Sequence, residues 1–236
     1  MVSKMSGNWD ARAILTAAVL GFAVHTLSAS PASALVWTDW TSATAGSPGS
    51  AIGTLGGITV TYNGELLTPP TTTDGSFRGE QPASSYVSST VMTSPDTVGD
   101  IIGLAGSYTG TNTVTFTSPV VDLVMAIWSL GSPSVTASFD FINATPSFVV
   151  GGPNVNFGGQ AITVAGNTVS GREGNGVVLF TGPISSLSWT NTPELWYGFT
   201  VGSTALAPDQ IPEPSSLALL GVAIGLCLFG RGRPSV

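Results

Sequence analysis

Residues 113–131 read TVTFTSPVVDLVMAIWSLG, and this stretch decides the fold class. Thr113 to Thr117 alternates, with Val114 and Phe116 on one face and threonines on the other, as a half-buried strand requires. Val121 to Leu130 is apolar almost throughout, the pattern of a strand buried on both faces. Periodicity alone would also admit a helix, but Pro119 and Gly131 bound the run tightly. The same texture spreads outwards from here. Leu35 to Trp40 opens with apolar residues. Ile58 to Tyr62 alternates and meets Asn63-Gly64, a tight-turn signal. Thr68 to Gln81 reads as a loop and Tyr86 to Met92 as a strand. Ser134 to Ile142 alternates. Ala161 to Val164, the Ala165-Gly166-Asn167 turn and Thr168-Val169 form a meander. Gly171 to Gly176 (GREGNG) is a turn, followed by strands at Val177 to Phe180, Ile184 to Thr190 and Trp196 to Val201. About ten short strands separated by Gly, Pro, Asn and Ser predict an all-β fold, an antiparallel two-sheet sandwich of jelly-roll type. There is no strict internal repeat, which weighs against a solenoid or propeller.

Composition narrows the function. Of 236 residues only 8% are charged, with 6 Lys+Arg against 13 Asp+Glu and a net charge of −7. A nucleic-acid binder needs a basic face to displace counterions from phosphates, so nucleic acid is not an expected partner. His25, Cys227 and Lys4 are the only residues of their types, and all three lie near the chain ends. Between Leu35 and Pro212 there are two arginines, Arg78 and Arg172, against eleven acids, a net charge of −9. That body has no base for a Ser-His-Asp triad, no Cys-His pair and no His or Cys ligand for zinc, copper or haem. Carboxylate chemistry survives, such as glycoside hydrolysis by two acids.

Both ends read as targeting segments. Lys4 and Arg12 precede Ala13 to Val24 (AILTAAVLGFAV), an apolar run of signal-peptide length. Small residues at Ala32 and Ala34 fit signal peptidase, so cleavage is expected after Ala34. Near the other end, Ser215 to Gly230 (SSLALLGVAIGLCLFG) carries no charge. As a helix it would be about 24 Å long, marginal for crossing a bilayer. Pro212-Glu213-Pro214 precedes it, and Arg231-Gly232-Arg233 follows, the arginines staying cytoplasmic by the positive-inside tendency.

This triplet of motif, apolar stretch and arginine cluster resembles the PEP-CTERM sorting signal of exported bacterial proteins. Here Gly232 splits the arginines, and Pro234-Ser235-Val236 trail after them. The resemblance implies recognition by an exosortase, a membrane-embedded transpeptidase-like cysteine protease. It further implies a precursor held transiently in the inner membrane and a mature form at the cell surface or outside the cell, in the setting of exopolysaccharide and biofilm. Tails of this type also bear the label ice-binding protein C-terminal domain, which describes the tail and not the body. Asp100 to Leu104, Ala126 to Gly131 and Trp196 to Thr200 resemble a body type that recurs among such proteins, without adding a mechanism. The expected organisation is a signal helix in 1–34, a β-sandwich body in 35–202, a linker in 203–211 and a sorting signal in 212–236, with the transmembrane helix in 215–230.

The body offers few sites. Trp37, Trp40, Trp128, Trp189 and Trp196 either fill the core or stack on sugar rings. Trp189, Trp196 and Tyr197 are the best candidates for glycan contact. Trp196 and Tyr197 are adjacent and so point to opposite faces of a strand. Glu65, Glu80, Asp122, Glu173 and Glu194 could supply a glycosidase pair, though none is marked by a motif. Asp96 with Asp100, or Asp74 with Glu80, could hold a structural calcium, but neither matches a calcium loop. No other cofactor and no catalytic residue is expected. Thr59/Thr61 and Thr111/Thr113/Thr115/Thr117 form threonine ranks of the kind that can match an ice lattice, but one strand is not an array. Asn143-Ala144-Thr145 is a sequon. The expected function is a non-catalytic structural or adhesive role. A carbohydrate-binding module is the alternative, and a carboxylate glycosidase comes third.

Overall fold

The structure is a computed structural model that describes residues 35–67, 81–95 and 100–206. The signal segment with Ala32 and Ala34, the loop at 68–80, and the tail with Pro212, Glu213, Pro214 and its apolar stretch lie outside the described residues. Among those described, no helix is long and apolar enough to cross a membrane.

Thirteen strands follow in order: β1 (Val36–Trp37), β2 (Asp39–Thr44), β3 (Gly46–Leu55), β4 (Ile58–Leu66), β5 (Ile102–Leu104), β6 (Asn112–Leu130), β7 (Ala137–Phe141), β8 (Ser147–Gly151), β9 (Gln160–Ala161), β10 (Thr163–Ala165), β11 (Thr168–Gly171), β12 (Gly174–Asn191) and β13 (Tyr197–Leu206). The all-β, antiparallel class holds, with one short parallel pair between β9 and β12. The partition into two sheets does not. The strands form one hydrogen-bonded sheet with a main path β10-β11-β7-β12-β6-β4-β3-β2, and β13 joins it through β6. Neither the sandwich nor the jelly-roll label follows from this order.

The reason is the length of β6 and β12, at 19 and 18 residues. Each was expected as two strands, and each is one strand with two limbs. The first limb of β6 pairs with β4 (Val60↔Phe116 to Asn63↔Thr113). Its second limb pairs with β13 (Leu206↔Val120 to Gly198↔Trp128). Pro119 sits where the partner changes, so its missing N–H costs no ladder bond to either. Register shifts at Phe180/Pro183 and Ile184/Ser186 bend β12 at the same level.

Bending brings the limbs face to face. Tyr62 of β4 and Trp189 of β12, which pair with the first limb of β6, meet Phe199 of β13, which pairs with the second, at 5.3 and 5.0 Å between ring centres. Val114, Phe116, Met125, Ile127, Phe180 and Val201 complete this buried cluster. The second limb of β6 is covered on its other face as well. Val124, Ala126 and Trp128 pack with Tyr86, Val91 and Ile101, which come from outside the strands. That double burial explains the continuous apolar run.

Three local expectations are corrected. Tyr86 to Met92 is not a strand: Ser88 Oγ accepts the N–H groups of Thr90 and Val91 and turns the chain. Asn63-Gly64 is not a turn, because β4 runs straight through it, and the turn falls at Gly56-Gly57 (φ 54° and 90°). Gly64 is required for a different reason, since a Cβ there would lie 2.2 Å from Asn112 Oδ1. The body does not end at 202, as β13 continues through Leu206, paired to Val120.

Candidate functional site

A surface cleft of about 510 Å³ opens where the far ends of β6 and β12 meet the start of β13. Its residues come from four places. Ser129 ends β6, and Ser132 and Pro133 follow it. Asn156 and Phe157 lie between β8 and β9, Glu173 precedes β12, and Glu194 to Trp196 lead into β13.

The apolar wall is built from the backbone up. Gly103 of β5 and Gly198 of β13 are cross-strand partners. A Cβ on Gly103 would meet the Trp196 indole at 2.7 Å, and one on Gly198 would meet it at 3.1 Å. The glycine pair is therefore a seat for the ring. Phe157 stacks on Trp196 at 5.0 Å and 25°. Leu195, 89% exposed, extends this apolar wall into solvent.

The polar side is held in place by strained backbone. Ser129 and Glu173 both sit at φ 52°, in the left-handed region. Such conformations cost about 1–3 kcal/mol each and gather at functional sites. Ser129 N–H donates to Asn175 Oδ1 at 2.9 Å, and Asn175 Nδ2 donates to the Glu173 carbonyl at 2.8 Å. Ser129 Oγ donates to Glu173 Oε2 at 2.7 Å. The backbone N–H of Trp196 donates to Glu194 Oε2 at 3.1 Å. Both carboxylates thus face one cleft from fixed positions.

Of the expected glycan contacts, Trp196 lines this cleft. Trp189 and Tyr197 do not, because both are fully buried. Trp189 packs against Tyr62, Phe139, Phe141 and Phe199. Tyr197 hydroxyl donates to the Thr192 carbonyl at 2.9 Å and accepts from Asn191 Nδ2. Burial, with the nearby Glu65 and Glu194 charges adding to it, pushes the Tyr197 hydroxyl pKa up; the Asn191 bond opposes this.

The five acids separate. Glu173 and Glu194 share the cleft. Glu80 lies outside the described residues. Asp122, at φ 53° in the bend of β6, accepts the Gly182 N–H. Glu65 is fully buried, and its carboxylate accepts the N–H groups of Ala105, Gly106 and Ser107 and the Ser107 hydroxyl. Asn112 Oδ1 accepts Glu65 N–H and Tyr62 hydroxyl, and Asn112 Nδ2 donates to Asn191. This is a structural network, sealed from any substrate. Of the paired acids considered for calcium, only Asp100 is described; it accepts the Trp40 N–H at 2.9 Å. No group of three His, Cys, Asp or Glu side chains gathers among the described residues.

Of the threonine ranks, Thr61, Thr113 and Thr115 fall on one mixed polar face. Thr61 pairs with Thr115, which pairs with Ser186; Asn63 pairs with Thr113, which pairs with Ser188. Ser138 and Asp140 of β7 and Thr168 and Ser170 of β11 continue it. A bare hydroxyl face gains little from any ligand, because each new hydrogen bond replaces one to water. The cleft adds apolar surface, which does gain. Phe157, Ser129 and Asn156 escaped the sequence reading. The available signal was an aromatic set in the loop Asn156-Phe157-Gly158-Gly159, where Phe157 is half-buried against the second cluster.

Comparison with known proteins places the tail. Residues 210–233 match the family described as PEP-CTERM protein-sorting motif. The chain carries a PEP-CTERM sorting signal. This signal marks the chain for export through a membrane-associated precursor and for processing by an exosortase. The matched description names sorting and says nothing of ice. No curated protein and no solved structure matches the chain.

Proposed function

We propose that this PEP-CTERM protein is a non-catalytic adhesive component of the cell surface or exopolysaccharide matrix, and that its body holds a glycan in the cleft between β6, β12 and β13. The observation that carries the reading is the Phe157–Trp196 stack on the wall of an open cleft. A sugar ring presents an apolar C–H face and a rim of hydroxyls. Aromatic carbon answers the first, and the Ser132 hydroxyl, the Asn156 amide and two carboxylates answer the second. The cleft, about 510 Å³, is open to solvent, which suits attachment to part of a longer polymer.

The test is a glycan array probed with the exported protein and its Trp196→Ala variant. Binding to polysaccharide of the producing cells, lost in the variant, supports the reading; no glycan binding sinks it. Hydrolysis of a bound oligosaccharide, lost in Glu173→Gln or Glu194→Gln, would replace it with the glycosidase reading. Removal of Pro212-Glu213-Pro214 should leave the precursor in the inner membrane, and unchanged release would contradict the sorting route.

A further inference from the structure

We infer that the cleft selects a glycan bearing free amino groups over its neutral and acidic counterparts, an inference that rests on the glycan-binding reading. Three observations converge. First, two carboxylates, Glu173 and Glu194, line the cleft, and none of its lining residues is basic. Arg172, although next to Glu173 in sequence, lines a different depression, where its Nε donates to Thr136 Oγ1 at 3.0 Å. Second, each carboxylate is anchored through Oε2, to the Ser129 hydroxyl and to the Trp196 backbone N–H. Among the described residues neither Glu173 Oε1 nor Glu194 Oε1 is hydrogen-bonded, so each is left to accept from a donor in the cleft. Third, Phe157 and Trp196, stacked on one another, put aromatic carbon on the same wall as the carboxylates, and an ammonium held against aromatic carbon gains beyond simple apolar contact.

A uronic acid entering here would set its carboxylate against two others with no cation to offset them, a repulsion that excludes it. A neutral sugar would leave both glutamates without a charged partner. An ammonium sugar pairs with them and lies against Trp196. The body as a whole acts in the same direction, since its net charge of −9 concentrates cationic polymers near the surface.

The experiment compares three soluble oligomers by calorimetry with the exported protein: glucosamine, N-acetylglucosamine and a polyuronate of matched length. The glucosamine oligomer should bind about tenfold or more tighter than its acetylated twin, a difference of about 1.4 kcal/mol. The polyuronate should not bind. Raising salt from about 0.05 M to about 0.5 M should weaken the glucosamine oligomer and leave the acetylated one unchanged. The double variant Glu173→Gln, Glu194→Gln should bring the first two to equal affinity, with Trp196→Ala losing both. Equal or tighter binding of the acetylated or acidic oligomer in the unaltered protein overturns the amino-sugar inference and leaves the glycan reading standing. Binding of none of the three, alongside a glycan array without hits, overturns both.

Discussion

Ser129 Oγ donates to Glu173 Oε2 at 2.7 Å, and the two residues share the same left-handed backbone angle, φ 52°. Strain on both sides of one hydrogen bond fixes a carboxylate at the cleft. Ser129→Ala removes the bond and keeps the strain; Ser129→Gly removes both. The glycine variant should be the more stable of the two by about 1 kcal/mol, read from urea midpoints at equal m-values. Both variants should bind the glycan more weakly than the parent. A glycine variant less stable than the alanine variant would mean that the backbone there is not strained.

The two tryptophans of the last strands should respond in opposite ways. Trp189 is fully buried, and its indole N–H has no hydrogen-bond partner among the described residues. Trp189→Phe loses packing area and recovers the cost of an unsatisfied donor, so destabilisation should stay below about 2 kcal/mol, against about 3–5 kcal/mol for Trp189→Ala. Glycan binding should be unchanged in Trp189→Phe. Trp196 is only half-buried, so Trp196→Ala should cost less stability than Trp189→Ala while losing binding.

Glu65 is a buried carboxylate held by three backbone N–H groups and the Ser107 hydroxyl. Glu65→Gln replaces one accepting oxygen by a donor that faces other donors. The expected cost is about 3 kcal/mol, measured by chemical denaturation, with no change in glycan affinity for the folded fraction. A neutral result would show that the loop at Ala105 to Ser107 rearranges freely.

Alkali should unfold the body. Burial, with the nearby Glu65 charge adding to it, raises the Tyr62 hydroxyl well above its ordinary range, and Tyr197 is raised in the same way. The unfolded chain releases these protons near pH 10 while the folded one keeps them. Stability is therefore fully present below about pH 10 and falls above it, by about 1.4 kcal/mol per pH unit for each tyrosine. Urea midpoints between pH 8 and pH 11 report this, and Tyr62→Phe should flatten the fall. A midpoint independent of pH over that range would contradict it.

Much of the fold was legible because strand alternation is local. Val114 and Phe116 pointed inwards as their spacing demanded, and the run from Val121 was apolar because both its faces are covered. What alternation does not encode is partner choice. Nothing in the sequence near Pro119 says that β6 passes from β4 to β13 there, so one strand read as two. Of the candidate site, Trp196 was legible and its surroundings were not. Phe157 stacks on it and Glu173 shares its cleft because β5 and β13 place Gly103 opposite Gly198 and leave room for an indole. Trp189 was left open between core and glycan contact because a tryptophan in a strand looks the same from either face, and the structure buries it.

β13 begins one residue after Trp196 and ends at Leu206, on the side of the tail. Along its length it is hydrogen-bonded to β6, with β5 and β1 on its other edge. A pull between a ligand held by Ser129, Phe157 and Glu173 and the far end of β13 would therefore pass into β13 from its neighbours. It would act parallel to β13 and load its many cross-strand bonds together, in shear, instead of peeling them apart one at a time. Shear is the direction in which a sheet resists most, and β13 is the strand placed to take it.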